Sequence, residues 1–287
     1  MLFRSDVRAY SQQIIDSGAA PYGIALESGF DSGGGWYIEQ WFCKSQEYYV
    51  DGDNGRTSRA TKVLFDNATA TDLLTFLQQM VSDGIAVNVG DNSTSGYDNL
   101  LKLADVQQPA AMTIATSASL GPVLEVLRGD QFPQLTVDDV GVSPMPGPDG
   151  APGALVGGAA LWAVDHADPV RTAATWDFIE FLTAAQQQSE WAAGTGYIPV
   201  RNDARNLEPY AGTLAADPRF SVALDQLLAS PDALTSSGPV VGPLREIRSV
   251  LAIAVAAILG GADVATSLAD AASQADGLIA DYNARNS

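Results

Sequence analysis

The 287-residue sequence holds a single cysteine, Cys43, and a single histidine, His166. One thiol forms no intrachain disulfide and no cysteine-rich metal site. One imidazole supplies neither a histidine-centred triad nor a multi-histidine metal site. Basic residues are also scarce: 15 Lys and Arg stand against 34 Asp and Glu, a formal net charge of −19. With no Lys/Arg cluster to offset it, such a surface repels phosphates, and nucleic acid is excluded as a partner. Long apolar runs are missing. The longest, Val250 to Gly261, falls short of the about 20 residues that a membrane-spanning helix requires and reads as a buried helix of a soluble lobe.

No signal peptide is visible, because Asp6-Val7-Arg8 follows the first five residues where an apolar run would be needed. Leu2-Phe3-Arg4-Ser5 reads like the translated end of a sequencing adapter. The expectation is therefore that the original start was lost, so the missing signal says nothing about localisation.

What is present suits a two-core protein. Hydrophobic residues make up 46% and charged residues 17%, and the length exceeds the usual size of one core, favouring two domains or one interrupted by another. Ser5 to Ser17 reads as the end of a helix, with a turn at Gly18 to Pro21 and a strand at Tyr22 to Leu26. A glycine- and aromatic-rich stretch, Ser28 to Phe42, follows. Leu73, Leu74, Leu77, Met80 and Val81 recur at helical spacing, with Thr71 as N-cap and Gly84 as stop. Ala110 to Ala115 reads as a buried strand that ends in the hydroxyl cluster Thr116-Ser117-Ala118-Ser119.

Val140 to Gly158 carries Pro144, Pro146, Pro148 and Pro152, which push their preceding residues towards extended geometry, so it reads as a domain crossing. Ala159 to Val164 is a further strand candidate. Asp168-Pro169 is a helix start, and that helix is expected to turn Ala173, Trp176, Ile179, Phe181 and Leu182 inward. A shorter helix over Gln187 to Ala193 stops at Gly194, and helices around 220–228, 244–259 and 263–282 complete the chain. Strands alternating with helices, plus the crossing, give an α/β protein of two lobes.

Other chemistry is weakly represented. Asp51-Gly52-Asp53-Asn54-Gly55 resembles the start of a calcium loop, but Lys62 stands where a bidentate Glu is needed, so a solvated turn is the better reading. Gly33-Gly34-Gly35 lacks the lysine and hydroxyl of a phosphate-binding loop. Glu27, Asp31 and Glu39 are the carboxylates near Trp36 from which a two-carboxylate glycoside hydrolase would have to be built; they read as hydrogen-bond acceptors or surface charges.

Three blocks carry a resemblance: Gly157 to Val164, Ala173 to Leu182, and Glu190 to Arg201 with its Gly194-Thr195-Gly196-Tyr197-Ile198-Pro199 core. In order and spacing they resemble the family 1 extracellular solute-binding proteins that serve ATP-binding-cassette importers of sugars and glycerol 3-phosphate, and Ala111-Met112-Thr113 looks like that family's strand into the ligand cleft. The resemblance implies a periplasmic-binding-protein-like fold of two α/β lobes closing on solute by a hinge. It assigns 6–152 to the second lobe, 153–200 to a remnant of the first, and 201–287 to a return into the second. Most of the first lobe is expected to precede residue 1. It also implies an extracytoplasmic, monomeric binding protein with no catalysis, no cofactor and no metal, whose partners are a sugar or polyol and the transmembrane subunits of a permease.

By the same resemblance, Trp36 matches an aromatic that stacks on ligand, with Phe30 as a second; a core tryptophan is the alternative, and Trp41 reads as core. Thr116 and Ser117 match cleft hydroxyls, although a helix N-cap would use the same residues. Gly158 matches a glycine whose backbone meets ligand, and Tyr197 a tyrosine that closes the cleft. Glycerol-phosphate binders of this type carry Gly-x-Arg-x-Gly ahead of an Ile-Arg pair. Here the stretch is Gly238-Pro239-Val240-Val241-Gly242 before Ile247-Arg248, with Val240 in the arginine position. A phosphate with no charged partner loses hydration without compensation, so neutral sugar or polyol becomes the leading ligand class, Arg245 being the nearby substitute cation.

Overall fold

The computed structural model describes residues 4–148 and 153–286. In chain order its principal elements are α1 (Arg4–Asp16), β1 (Tyr22–Leu26), α2 (Trp36–Ser45), α3 (Ala68–Ser82), β2 (Ala86–Asn88), β3 (Ala110–Thr113), α4 (Leu120–Leu127), α5 (Pro169–Thr183), α6 (Ala185–Thr195), α7 (Tyr210–Ala216), α8 (Ser221–Leu228), α9 (Leu244–Leu259) and α10 (Val264–Arg285). They fall into two compact units. The first comprises Met1–Ala115, Pro144–Leu155 and Gln226–Ser287; the second comprises Thr116–Ser143 and Val156–Asp225.

The first unit is built on a parallel sheet of order β2-β1-β3, with Ile24 opposite both Ala86 and Met112. Parallel strands are covered on both faces, which is why β1 reads as a short apolar run without alternation. Helix α2 buries Ile38, Trp41 and Phe42, and α3 buries Leu73, Leu74 and Met80, into one core. Helix α9 adds Ile247, Leu251, Val255 and Ile258 at three- and four-residue spacing, and α10 answers with Leu268, Ala271, Ala275 and Ile279. Each fully buried Leu or Ile contributes about 1.5–3 kcal/mol.

Caps fix the helix ends. The Asp263 carboxylate accepts from Thr266 N at 2.8 Å to open α10. Gln78 donates to Ile258 O and Ala262 O, both at 2.7 Å, tying α3 to the end of α9. Helix α3 starts at Asn67, whose side chain accepts from Ala70 N, and not at the expected Thr71, because Asn67 is extended and can cap while Thr71 already lies inside the helix.

The extended segment around the prolines is held to this unit by side chains acting as strand partners. Gln226 exchanges two hydrogen bonds with Met145, and Gln40 does the same with Leu155. Pro152 lies outside the described residues, as do Met1, Leu2 and Phe3.

The second unit is helical and thinly cored. Ser189, fully buried, donates to Leu207 O and accepts from Tyr210 N, and Arg219 reaches Asp217, Val137 O and Val140 O. These bonds group 116–143 and 201–225 with 156–200, a division that differs from the lobes implied by the resemblance.

Two expectations fail here. Residues 159–164 form no strand, since none among the described residues pairs with them, and Leu161, Trp162 and Val164 are exposed. Helix α5 starts as read, with Asp168 accepting from Val170 N and Arg171 N, but it buries no residue. Ala173, Trp176 and Phe181 are exposed, and Ile179 and Leu182 only half-buried, because nothing described in the unit covers that face. Helix α6 runs past Gly194 to Thr195 and ends at Gly196, whose φ of +77° supplies the left-handed stop.

Candidate functional site

Open parallel sheets place ligand sites beyond the carboxyl ends of their strands. Strand β1 ends at Leu26 and runs into Glu27-Ser28-Gly29-Phe30. The buried Glu27 carboxylate accepts from Gly29 N at 2.6 Å and from Gly33 N, folding the glycine segment back onto the strand end. Ser28 N donates to Gly90 O, beyond β2, at 2.7 Å. At β3, Thr113 Oγ1 donates to Ala25 O and accepts from Asn99 Nδ2 at 3.0 Å. Gly34 must lack a side chain, since a Cβ there would lie 2.9 Å from the Ala252 Cα of α9. At Gly35 it would lie 3.2 Å from the Arg248 Cβ. Gly34 and Gly35 thus let the chain press against α9 and begin α2 at once, a helix that the glycine-rich pattern concealed.

Trp36 is the first residue of α2 and is half-buried, whereas Trp41 is 2% exposed and belongs to the core as expected. The first turn of α9 brings two arginines onto this edge. The Arg245 guanidinium lies 5.1 Å from the Phe30 ring centre and that of Arg248 lies 5.0 Å from Trp36. Arg248 also bonds Glu39 through Nε at 2.5 Å and Nη2 at 2.7 Å. Burial pushes the Glu39 carboxyl above its ordinary range, against the pull of Arg248. Burial acting on Arg248 is outweighed by its bonds to Glu39, which hold it above its ordinary value. Arg245 entered the sequence reading only as a substitute cation for phosphate, and Arg248 only as part of the Ile247-Arg248 pair. Their three-residue spacing at the start of an expected helix was the signal that both share a face.

Phe30 and Trp36 therefore come together in the first unit, each with one arginine against its ring. The other candidates belong to the second unit. Thr116 and Ser117 are exposed, and Thr116 Oγ1 accepts from Ala118 N at 3.4 Å as the N-cap of a 3-10 turn over Ser117–Ser119. A Cβ on Gly196 would lie 3.6 Å from Ser117 O, so this turn runs beside the residue preceding Tyr197, which is 45% exposed. Gly158 is exposed at φ +146°, with open space where a side chain would stand.

The loop with Val240 is held rigidly. Val240 N donates to Asn54 O at 2.8 Å, and Arg56 reaches Gly238 O at 3.2 and 3.1 Å and also Ser237 O. Val240 itself is 51% exposed. Its dock is a left-handed turn, in which Gly52, Asp53 and Asn54 take φ of 62°, 53° and 60°. The buried Asn54 side chain satisfies Tyr49 N and Val50 N at 2.6 and 3.2 Å. Asp51 is spent on Thr61 and Lys62 N, and those hydrogen bonds outweigh desolvation and lower its pKa.

Among the described residues no cluster of three His, Cys, Asp or Glu is arranged to hold a metal, and His166 is exposed. Cys43 is buried, which pushes its thiol up and keeps it unreactive.

Comparison with known proteins bears on this geometry. A family model described as bacterial extracellular solute-binding protein matches residues 12–221. The sn-glycerol-3-phosphate-binding periplasmic protein UgpB of Pectobacterium atrosepticum is 27% identical over 248 residues, covering 84% of this chain and 52% of the relative. Among solved structures, UgpB from Mycobacterium tuberculosis in complex with glycerophosphocholine aligns with a TM-score of 0.72 and 21% identity over 99% of this chain and 64% of the other. The cyclic alpha-maltosyl-1,6-maltose binding protein from Arthrobacter globiformis gives 0.70 and 20% over 96% and 64%. The chain spans about half the length of the curated relatives it matches.

Proposed function

The chain belongs to the bacterial extracellular solute-binding protein family, and from that premise we propose that it is the solute-capturing component of an importer driven by an ATP-binding cassette. It works outside the cytoplasm as a monomer, takes up a sugar or polyol and passes it unchanged to the transmembrane subunits of a permease. Solute shifts an open–closed equilibrium, and no covalent bond is made or broken. The observation that carries this reading is the presentation of Phe30 and Trp36 together beyond the carboxyl end of the parallel sheet, one bordered by Arg245 and the other by Arg248. Aromatic rings suit the C–H faces of a sugar, and polar groups suit its hydroxyl rim.

The relatives divide between phosphate esters and saccharides. One is named for sn-glycerol 3-phosphate, one was solved with glycerophosphocholine, and one is named for a cyclic maltosyl maltose. The exposed isopropyl group of Val240 supports the saccharide side, since it offers phosphate oxygens no donor. The glycoside hydrolase alternative has less support, because Glu27 and Glu39 are each committed to partners within the fold.

The test is calorimetry with the protein of the complete reading frame, against sugars, polyols and phosphate esters, with the ligand recovered and analysed afterwards. Saturable binding of a sugar or polyol that is returned intact supports the reading. Hydrolysis of a glycoside, or binding confined to phosphate esters, overturns it.

A further inference from the structure

We propose that the solute is a sugar acid whose carboxylate is held by Arg245, a narrowing that rests on the solute-binding reading above. Among the described residues two cations lie against these rings, Arg245 at Phe30 and Arg248 at Trp36, and they differ in what they have left to give. Arg248 has its Nε and Nη2 donors on Glu39, which is 1% exposed, and its charge is matched there. Arg245, three residues earlier on the same helix, forms no ion pair among the described residues. It is exposed, its guanidinium rests by the Phe30 ring, and its fork is free. An aromatic face orders the long side chain of an arginine, so the fork is presented in a narrow range of directions.

One free guanidinium beside the Phe30 ring selects a particular chemistry. A carboxylate carries one charge and two oxygens in a plane, which one arginine fork satisfies in two parallel hydrogen bonds. A phosphate monoester carries more than one charge near neutral pH and three acceptor oxygens. It therefore calls for a second cation, which Arg248 cannot supply while it is paired with Glu39, and which Val240 does not supply. A neutral sugar offers the guanidinium hydroxyls but no charge to match, and gains far less from it. Asp31 is the nearby acid, exposed and felt at Arg248, and it forms no ion pair with Arg245. The −19 net charge disfavours any anion at long range but is screened beyond about 10 Å at 0.1 M salt.

The experiment is calorimetry and thermal shift on the protein of the complete reading frame at fixed pH and salt. The probes are matched pairs of neutral hexoses and their uronic and aldonic acids, with glycerol 3-phosphate and maltose alongside. The expected result is that an acid binds more tightly than its neutral partner. Arg245→Gln should weaken the acid roughly 10- to 100-fold, the range for losing a charged hydrogen-bonding partner, and should weaken the neutral partner far less. Arg245→Lys should recover part of the loss. Neutral sugars binding as tightly as the acids, equally in native and Arg245→Gln proteins, overturn the proposal but leave the solute-binding reading standing. Glycerol 3-phosphate binding above every sugar acid also overturns it. Failure of every sugar, acid or neutral, defeats both.

Discussion

Arg248 grips Glu39 through two hydrogen bonds of 2.5 and 2.7 Å while its guanidinium lies 5.0 Å from the centre of the Trp36 ring. One side chain from α9 thus braces both the interior acid of α2 and the aromatic at its first residue. Removing the arginine strands a buried carboxylate, so Arg248→Ala should cost about 3–5 kcal/mol of unfolding free energy. The loss should also depend on pH. Burial raises the Glu39 pKa in the folded state, and the variant removes the opposing pull of Arg248. The folded carboxyl then holds its proton more tightly than the unfolded one. That contribution to stability is present below the ordinary carboxylate range and is lost as pH rises through the raised value. Denaturant titrations at pH 5 and pH 8 should show the larger deficit at pH 8. An equal deficit at both would mean that Glu39 does not carry the effect.

Trp36→Ala probes binding from the other side of the same contact. In the protein of the complete reading frame it should weaken sugar binding by about 2–4 kcal/mol, the range for truncating an aromatic anchor. Because Trp36 is only half-buried, its removal should cost less stability than Trp41→Ala, which empties a core site that is 2% exposed. Calorimetry showing unchanged affinity would return Trp36 to a purely structural role.

Strands β1 and β3 and most helices of the first unit are legible in the sequence, because local signals and packing agree there, whereas β2, three residues long, gives too short a run to be read. The apolar run of β1 lies in a parallel sheet, Asp263 opens α10, and Val250 to Leu259 lies in α9 and buries one face. The second unit misleads for a physical reason. Ala173, Trp176 and Ile179 have the spacing of an inward face, yet periodicity reports only that a helix has an apolar side, not that something in the same chain covers it. Helix α2 is hidden because glycines that read as a loop serve instead to let the chain approach Ala252 and Arg248. The Glu39–Arg248 pair spans 209 positions, a separation over which no local pattern speaks.

The exposed apolar face of the second unit predicts how a polypeptide of these 287 residues behaves alone. Trp162 is 84% exposed, and Trp176, Phe181 and Trp191 are more than half exposed. Exposed aromatic surface on this scale binds hydrophobic dyes and promotes association. The dye ANS should therefore fluoresce strongly with the native chain. Replacing Trp162, Trp176 and Phe181 together with Ser should reduce that signal and the tendency to aggregate. The midpoint of unfolding should hardly move, since exposed positions cost within about 0.5 kcal/mol each. A large drop in stability would mean that these side chains are covered in solution.

Val240→Arg tests whether the ligand class is written at one position. The backbone there is fixed independently of the side chain, through Val240 N to Asn54 O and through Arg56 to Gly238 O and Ser237 O. Because the side chain is 51% exposed, an arginine fits without displacing core atoms, and stability should change by less than about 0.5 kcal/mol. The resemblance to glycerol-phosphate binders would put an arginine at this position of the Gly238 to Gly242 stretch. The substitution would supply the second uncommitted cation that Arg248, bound to Glu39, cannot. Affinity for glycerol 3-phosphate should then rise by about 1.5–3 kcal/mol, the worth of a hydrogen bond to a charged group, and should weaken on adding salt. Neutral sugars should be unaffected. Calorimetry on the native and Val240→Arg proteins at two salt concentrations measures this directly. If glycerol 3-phosphate binds no better to the variant, Val240 does not determine the ligand class, and the preference against phosphate esters has another origin.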